Sequence, residues 1–192
     1  MKLIYSLFDH SGQWVKPYRD AGYKVVQVDI KHGDDVRMLE VPNEPVYGVL
    51  CAPPCTHFSV SGAQYWKAKD DDGRTLEALE LIGAMSRFII ASAPVFWVCE
   101  NPVGRLNRWL GKPKMYFQPY EYGDPYSKKT ALWGNFNTEL VKNVVEPEMY
   151  TTSTGKRGSK FWMKLGGASE RTKELRSVTP MGFAQAFFEA NR

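Results

Sequence analysis

Residues 46–59 read VYGVLCAPPCTHFS, an apolar run followed at once by two prolines and a cysteine. The run from Val46 to Cys51 has the length and apolar character of a buried strand. Pro53 and Pro54 fix two φ angles and remove two backbone donors, so a stiff turn carries the thiol of Cys55. We interpret Cys55 as a candidate nucleophile, and a buried structural cysteine is the alternative that this stretch leaves open.

Strand-like and helix-like segments alternate on both sides of this stretch. The predicted strands cover residues 2–8, 24–30, 46–51, 94–99, 115–119 and 130–134. Apolar residues three or four apart predict a helix over 74–91, and shorter helices are predicted over 14–21 and from the cap and first turn Thr179-Pro180 to Ala190. The alternation predicts an α/β fold with a doubly wound, mostly parallel sheet and helices on both faces.

Length and composition are those of one globular domain. The chain has 192 residues, of which 43% are hydrophobic, and its 6 Trp, 10 Tyr and 10 Phe exclude a disordered chain. No apolar stretch reaches the roughly 18 residues of a membrane span, and residues 1–8 lack the pattern of a signal peptide. We therefore expect a cytoplasmic protein that has no membrane partner.

The cysteines also argue for a reducing compartment. There are three of them, an odd number, which does not suit a secreted disulfide framework. Cys51 and Cys99 fall within apolar predicted strands. Core packing therefore explains them better than a zinc site shared with Cys55 and His57, and we expect no bound metal.

Positive charge is concentrated in one late segment. The whole chain has a formal net charge of +4, whereas residues 151–176 contain seven Lys or Arg against two Glu, a local balance of +5. Several glycines and the aromatic pair Phe161-Trp162 accompany these charges. This composition suits a basic surface that contacts a phosphate backbone, and a solvated loop without a partner is the alternative.

Side chains that can bind a ligand or take part in catalysis lie at the ends of four of the predicted strands. Residues 9–13 follow the first strand, Asp29 ends the second, Cys55 follows the third and Glu100 follows the fourth. Ligands of doubly wound sheets bind beyond the carboxyl ends of the strands. We therefore expect these residues to line one cleft.

Seven segments occur in a recognisable order. They are Leu7-Phe8-Asp9-His10-Ser11-Gly12, Asp29, Gly33-Asp34-Asp35-Val36, Ala52-Pro53-Pro54-Cys55 with Phe58-Ser59 and Gly62, Glu100-Asn101-Pro102, Tyr122-Gly123-Asp124-Pro125-Tyr126-Ser127-Lys128-Lys129 and Arg176-Ser177-Val178-Thr179-Pro180. Together they resemble the ordered motifs of the DNA (cytosine-5) methyltransferases, over most of the chain. A Pro-Pro-Cys run alone is a weak signal, but its combination with the Glu-Asn-Pro strand end is specific.

The resemblance implies methyl transfer from S-adenosylmethionine to carbon 5 of cytosine in DNA. Carbon 5 is a poor nucleophile, so a thiolate at Cys55 would first add to carbon 6 and push electron density onto carbon 5. Glu100 would give a proton or hydrogen bond to the N3 edge of the base. Lys128 completes the expected catalytic set in place of an arginine, although a lysine cannot reproduce the bidentate contacts of a guanidinium.

The resemblance also implies a cofactor site at Phe8, His10, Ser11, Gly12, Asp29, Ile30, Asp35, Pro53 and Leu76. Asp29 would accept hydrogen bonds from the ribose, and Asp35 would contact the adenine amine. Phe8 and Ile30 would pack on the apolar parts of the cofactor. His10 replaces the first glycine of the family's F-x-G-x-G loop, which changes how closely the backbone can approach the cofactor.

The resemblance divides the chain into three parts. Residues 1–134 are the expected methyltransferase core, residues 135–175 are a short basic region where larger family members hold a recognition domain, and residues 176–192 are a helix that returns to the core. The expected nucleic-acid contacts are Lys129, Lys156, Arg157, Lys160 and Arg176. Because the basic region is so short, we expect low sequence selectivity.

Two further expectations concern assembly and alternative functions. The family's closing Gly-Asn segment has no counterpart in this sequence, so we expect an open, weak cofactor site and favour a monomer over a dimer that would cover it. The open alternatives are a related pyrimidine-5 enzyme that acts on free nucleotides or transfers another group, a degenerate DNA-binding module, and an exocyclic amino methyltransferase. The presence of both Cys55 and Glu100 argues against the last two, because neither needs a thiol.

Overall fold

The computed structural model describes residues 1–155, 157–165 and 169–192, apart from the side chains at 162, 164 and 170. A six-stranded sheet forms its centre. The strands are β1 (Leu3–Leu7), β2 (Lys24–Val28), β3 (Val46–Cys51), β4 (Phe96–Pro102), β5 (Met115–Phe117) and β6 (Thr130–Asn135). They lie in the order β2-β1-β3-β4-β6-β5. β1 to β4 run parallel, and β6 runs antiparallel to both of its neighbours.

Helices and one small sheet surround this centre. The α-helices are α1 (Lys16–Asp20), α2 (Trp66–Asp71), α3 (Arg74–Ser92), α4 (Asn107–Leu110), α5 (Lys160–Lys164), α6 (Glu170–Ser177) and α7 (Met181–Ala190). Short 3-10 helices cover Ile30–His32, Val36–Met38, Val60–Tyr65 and Pro119–Glu121. The antiparallel strands β7 (Met149–Thr151) and β8 (Arg157–Ser159) form a separate two-stranded sheet.

The two faces of the central sheet bury different cores because successive strand residues point to opposite sides. On one face, Tyr5 packs in a cluster with Met85 and Phe88 of α3. On the other face, Ile4 packs in a cluster with Tyr18 of α1 and with Phe187 and other aromatic residues of α7. Helices therefore cover both faces, and the predicted doubly wound, mostly parallel α/β sheet of the Rossmann-like type is confirmed.

Among the predicted boundaries that differ from the structure, three concern residues near the expected site. β2 ends at Val28, because Asp29 instead caps a 3-10 helix with its side chain. β4 continues through Glu100 to Pro102, since its last residues pair with β6. Thr179 is not the cap of α7: Pro180 occupies the N-cap position, and the carbonyl of buried Thr179 accepts a hydrogen bond from the side chain of Gln13 at 3.0 Å.

Cys51 and Cys99 are fully buried neighbours in register on β3 and β4, as the core-packing interpretation predicts. All three cysteines are free thiols. The described ranges contain no group of three or more His, Cys, Asp or Glu side chains arranged to hold a metal ion. Within the same ranges, no helix combines the length and the apolar character needed to cross a membrane.

Candidate active site

The turn after β3 is held by hydrogen bonds on both sides of Cys55. Before the thiol, the carbonyl of buried Pro53 accepts a hydrogen bond from the side-chain amide of Asn101 at 2.9 Å. After it, the carbonyl of Cys55 accepts bonds from the backbone N–H groups of Phe58 and Ser59 at 3.0 and 2.9 Å. Phe58 is buried in the core and anchors the far end of the turn. The backbone around the thiol is therefore fixed.

Two cations lie behind this turn. The Nζ atom of Lys69 donates to the carbonyl of Thr56 at 2.5 Å, and Nε of Arg105 donates to the carbonyl of His57 at 2.9 Å. Both cationic residues are almost completely buried. Two successive carbonyls after Cys55 are thus satisfied by positive groups, and the turn gains charge-assisted hydrogen bonds.

The guanidinium of Arg105 joins several elements. It donates to the carboxylate of Asp70 at 2.8 Å and to the hydroxyl of Thr75 at 2.7 Å. Its central carbon lies 4.9 Å from the ring centroid of Trp66 and 5.9 Å from that of Trp109. The sequence analysis missed Arg105 and Lys69, because basic residues in a polar stretch are ordinarily solvent-exposed.

Cys55, Glu100 and Lys128 come together at the carboxyl ends of β3 and β4. Glu100 is 8% exposed and Lys128 is 7% exposed. Burial raises the pKa of the Cys55 thiol, whereas the Lys128 ammonium lowers it and the Glu100 carboxylate raises it further. Burial likewise raises the pKa of Glu100, opposed by Lys128. Lys128 therefore favours the charged form of both the thiol and the carboxyl, and Glu100 disfavours the thiolate.

The position of Lys128 is fixed by two hydrogen bonds. Its backbone N–H donates to the side-chain carbonyl of Gln118 at 2.9 Å, and its Nζ donates to the backbone carbonyl of Arg176 at 2.8 Å. Lys128 lies on the connection between β5 and β6, whereas Arg176 lies in the last turn of α6. The ammonium group thus bridges the sheet and α6.

The loop after β1 is organised around the buried carboxylate of Asp9. That carboxylate accepts hydrogen bonds from the hydroxyls of Ser6 and Ser11 at 2.7 and 3.1 Å and from the N–H of Gly12 at 2.8 Å. Phe8 adopts a φ of 60°, which is uncommon for a residue other than glycine. Asp9 also acts on the catalytic candidates, because its charge adds to the effect of burial in raising the pKa of Glu100.

Gln27 of β2 supports the same loop and was missed in the sequence analysis. Its side-chain amide donates to the carbonyls of Asp9 and His10. Gly12 has a φ of 65°, and a Cβ atom added there would lie 2.8 Å from the side-chain oxygen of Gln27. A signal existed in the sequence: Gln27 is a lone amide among the three valines of Lys24–Val28.

The expected ribose and adenine positions lie beyond β2. Asp29 is half-buried and accepts a hydrogen bond from the N–H of Lys31 at 2.9 Å. The neighbouring Ile30 is 68% exposed, which leaves a large apolar side chain beside this carboxylate. His10 lies close by, with its Nδ1 atom 3.2 Å from Nε2 of His32. An imidazole pair therefore lies beside the loops that follow β1 and β2.

Three further residues were expected at the cofactor site: Asp35, Leu76 and Pro53. The carboxylate of Asp35 forms a fork with the Arg37 guanidinium at 2.6–3.0 Å, and these bonds lower the pKa of Asp35. Any contact to an adenine amine would share an oxygen with Arg37. Leu76 on α3 is 65% exposed, whereas Pro53 is buried in the turn after β3 that carries Cys55.

α6 lies over the loops that follow β1 and β2. The Lys31 ammonium forms an ion pair with the carboxylate of Glu174 and lowers the pKa of that group, and His10 acts on it in the same direction. Just beyond α6, the carbonyl of Thr179 accepts from the Gln13 side chain. One side of the expected cofactor cleft is therefore flanked by residues 174–179.

The residues that were expected to contact nucleic acid lie in different parts of the structure. Lys129 is exposed, with its Nζ 5.0 Å from the ring centroid of Tyr116. Arg157 is exposed on β8, and the Nζ of Lys160 lies 4.0 Å from the carboxylate of Glu148. Arg176 is half-buried beside Lys128. Lys156 lies outside the described residues.

Comparisons with known proteins add little to this geometry. No family model matches the chain, and no curated protein matches it. Among solved structures, it is similar to a prophage-encoded protein of E. coli that is provisionally described as a DNA modification methyltransferase. The identity is 17% and the TM-score 0.49, over 100% of this chain and 70% of that one. At these values the likeness supports no argument about function, and the family resemblance stays a prediction.

Proposed function

We propose that this chain transfers a methyl group from S-adenosylmethionine to carbon 5 of cytosine in DNA through a covalent adduct on Cys55. The observation that carries the proposal is that the partly buried thiol of Cys55 lies within electrostatic reach of buried Glu100 and buried Lys128, at the carboxyl ends of β3 and β4. A thiol, a carboxyl and an ammonium group are the functional groups that this addition requires.

Cys55 forms the bond to carbon 6 as its thiolate. Because burial favours the neutral thiol, the positive charge of Lys128 is the main feature that stabilises the thiolate. As the sulfur–carbon bond forms at carbon 6, the electron pair of the C5–C6 double bond moves into the C4–C5 bond and the C4–N3 π pair moves onto N3, so carbon 5 becomes the nucleophilic end of an enamine. Carbon 5 would take the methyl group, with S-adenosylhomocysteine as the leaving group. Loss of the carbon 5 proton to water and return of the N3 proton to Glu100 then re-form the C5–C6 double bond and expel the Cys55 thiolate.

Glu100 supplies the proton that this shift needs. Its raised pKa keeps a larger share of the carboxyl protonated near neutral pH than an exposed glutamate would retain. A protonated carboxyl can donate to N3, which receives negative charge as the thiolate adds. The hydrogen bond between Asn101 and Pro53 fixes this strand end relative to the thiol.

The loop after β1 and the end of β2 fit S-adenosylmethionine in their chemistry. When bound, the cofactor supplies a methyl group on a positively charged sulfur, which is an electrophile. The half-buried carboxylate of Asp29 can accept hydrogen bonds from ribose hydroxyls, and exposed Ile30 offers an apolar surface to the adenine. A Cβ at Gly12 would meet Gln27, so the glycine keeps this turn tight.

Labelled S-adenosylmethionine tests the proposal directly. The protein is incubated with single-stranded DNA, double-stranded DNA or cytosine nucleotides, and the products are digested to nucleosides. We expect labelled 5-methylcytosine from DNA, loss of product in Cys55→Ser, and a trapped adduct on Cys55 with DNA that contains 5-fluorocytosine. Thr56→Ser, an exposed neighbour, is the matched control.

Three results would contradict the proposal. Full activity of Cys55→Ser would remove the covalent step. Label on the exocyclic amine would indicate a different methyltransferase chemistry. Modification of nucleotides in preference to DNA would favour the related enzyme that acts on free nucleotides.

A further inference from the structure

Residues 125–128 connect the active-site cluster to the basic lobe, which we define as the described residues 148–155, 157–165 and 169–176. The carbonyl of Pro125 accepts a hydrogen bond from the N–H of Glu148 at 2.8 Å. The N–H of Ser127 donates to the hydroxyl of Ser159 at 3.5 Å. The lobe is therefore attached to this short segment through its backbone.

An aromatic stack joins the same two parts. The rings of Tyr126 and Phe161 are nearly parallel, with centroids 4.2 Å apart and an interplanar angle of 9°. Phe161 belongs to α5 of the basic lobe. Tyr126 lies two residues before Lys128, and burial, Asp124 and Glu100 all raise the pKa of its hydroxyl.

The basic lobe also holds the ammonium end of the Lys128 side chain. Its Nζ donates to the carbonyl of Arg176 in the last turn of α6. The charged groups that shift the pKa of the Cys55 thiol are Lys128, Glu100 and Arg176, and the thiol in turn acts on the pKa of Lys69. Lys128 is the strongest of them for this thiol, and its placement depends on residues 125–128.

We propose that Tyr126 and Phe161 are positioning residues, whose stack seats the basic lobe on residues 125–128 and thereby holds Lys128 against Cys55. The lobe is then part of the active site as well as a surface for DNA. The catalytic meaning of this inference rests on the proposed function, but the placement of Lys128 does not require methyl transfer.

Alkylation of Cys55 by iodoacetamide, measured against pH, tests the inference without substrate or cofactor. Cys51 and Cys99 are fully buried, so the native protein reports on Cys55, and mass spectrometry identifies the modified residue. The Lys128→Met variant shows how far the pH midpoint of alkylation moves when the ammonium group is absent. Loss of an adjacent positive charge raises a thiol pKa by on the order of one unit.

We expect Phe161→Ala to raise the pH midpoint of Cys55 alkylation, but by less than Lys128→Met does. Phe161→Tyr keeps a ring and should restore the original profile. Met163→Ala, an exposed neighbour on α5, should also leave it unchanged. Tyr126→Leu removes the stack from the opposite side and gives a second reading if Phe161→Ala does not fold, as judged by circular dichroism.

The possible outcomes separate this inference from the proposed function. Folded Phe161→Ala and Tyr126→Leu proteins with the original profile would reduce the stack to a structural contact and overturn the inference. An unshifted profile in Lys128→Met would overturn it as well. A shifted profile in a protein that methylates no DNA would support the inference while contradicting the proposed function.

Discussion

The side-chain amide of Asn101 donates to the carbonyl of Pro53 at 2.9 Å, across the neighbouring strands β3 and β4. Asn101 follows Glu100 directly, and Pro53 precedes Cys55 by two residues. Asn101 is fully buried, and its other amide atom, Oδ1, has no hydrogen-bond partner within the described residues. One hydrogen bond thus fixes the candidate acid and the candidate nucleophile relative to each other.

Asn101→Leu should therefore reduce both stability and activity. The substitution leaves the buried carbonyl of Pro53 without its donor, which costs about 1–3 kcal/mol in the free energy of unfolding. Urea unfolding and methylation assays measure the two effects. Asn143→Leu, at an exposed position, is the control. An Asn101→Leu protein that loses stability but keeps its full rate would show that the bond does not position the site.

Glu100→Gln should lower the methylation rate by about 10²–10⁴-fold but stabilise the fold at higher pH. Burial raises the pKa of Glu100 in the folded state above its ordinary 4.5, so the folded protein binds this proton more tightly than the unfolded chain. The resulting stability is complete below pH 4.5 and is lost as the pH rises through the folded pKa. Glutamine does not titrate.

The difference in unfolding free energy between Glu100→Gln and the original protein should consequently grow as the pH rises above about 4.5. Urea unfolding at about pH 4.5, 6 and 8 measures it. Glu80→Gln, an exposed carboxyl on α3, should show no such growth. A difference that stays constant with pH would contradict the buried, proton-binding state of Glu100.

Arg105→Lys should destabilise the turn after Cys55. A lysine cannot bond to His57, Asp70 and Thr75 at once, because it lacks the planar fork of the guanidinium. We expect a loss of about 2–3 kcal/mol in unfolding free energy and a lower rate. Arg108→Lys, an exposed arginine three residues on, is the matched control. Equal stability of the two variants would contradict the role of Arg105.

Neutralising the basic lobe should weaken DNA binding in a salt-dependent way. Arg157→Gln with Lys160→Gln removes two positive charges from its described surface. The slope of log affinity against log salt should fall by about 0.9 for each phosphate that the protein no longer neutralises, with little change in the sequence that is bound. Lys16→Gln, at an exposed position of α1, should keep the original slope. Unchanged affinity and slope would assign DNA binding to another surface.

Glu174→Gln should weaken S-adenosylmethionine binding a few-fold, because it removes the ion pair that holds α6 over the loop after β2. Since both partners are about half-exposed, the effect should shrink in high salt. Calorimetry measures the affinity, and Glu139→Gln is the control at another exposed carboxyl. Sedimentation of the same samples tests the expected monomer. Equal affinity of both variants would show that the α6 ion pair does not affect the cofactor.

The sequence alone determined the elements whose signals are local. The apolar run from Val46 to Cys51 matches β3 residue for residue, and the spacing of apolar residues predicted α3 to within one residue. Alternation of these elements was enough for the doubly wound sheet, because parallel strands need crossover helices. The order of strands and helices also placed Cys55 and Glu100 at carboxyl ends of strands, and the structure makes these two strands neighbours.

Only the tertiary structure decided which side chains support that site. The bonds from Asn101 to Pro53, from Arg105 to His57 and from Lys128 to Arg176 each join residues 48 positions apart. No local pattern encodes such contacts, since they depend on how strands and loops are brought together. The same holds for buried Lys69, whose charge would indicate a surface residue in any single-sequence argument. Local propensity fixes the elements, and long-range packing fixes the chemistry between them.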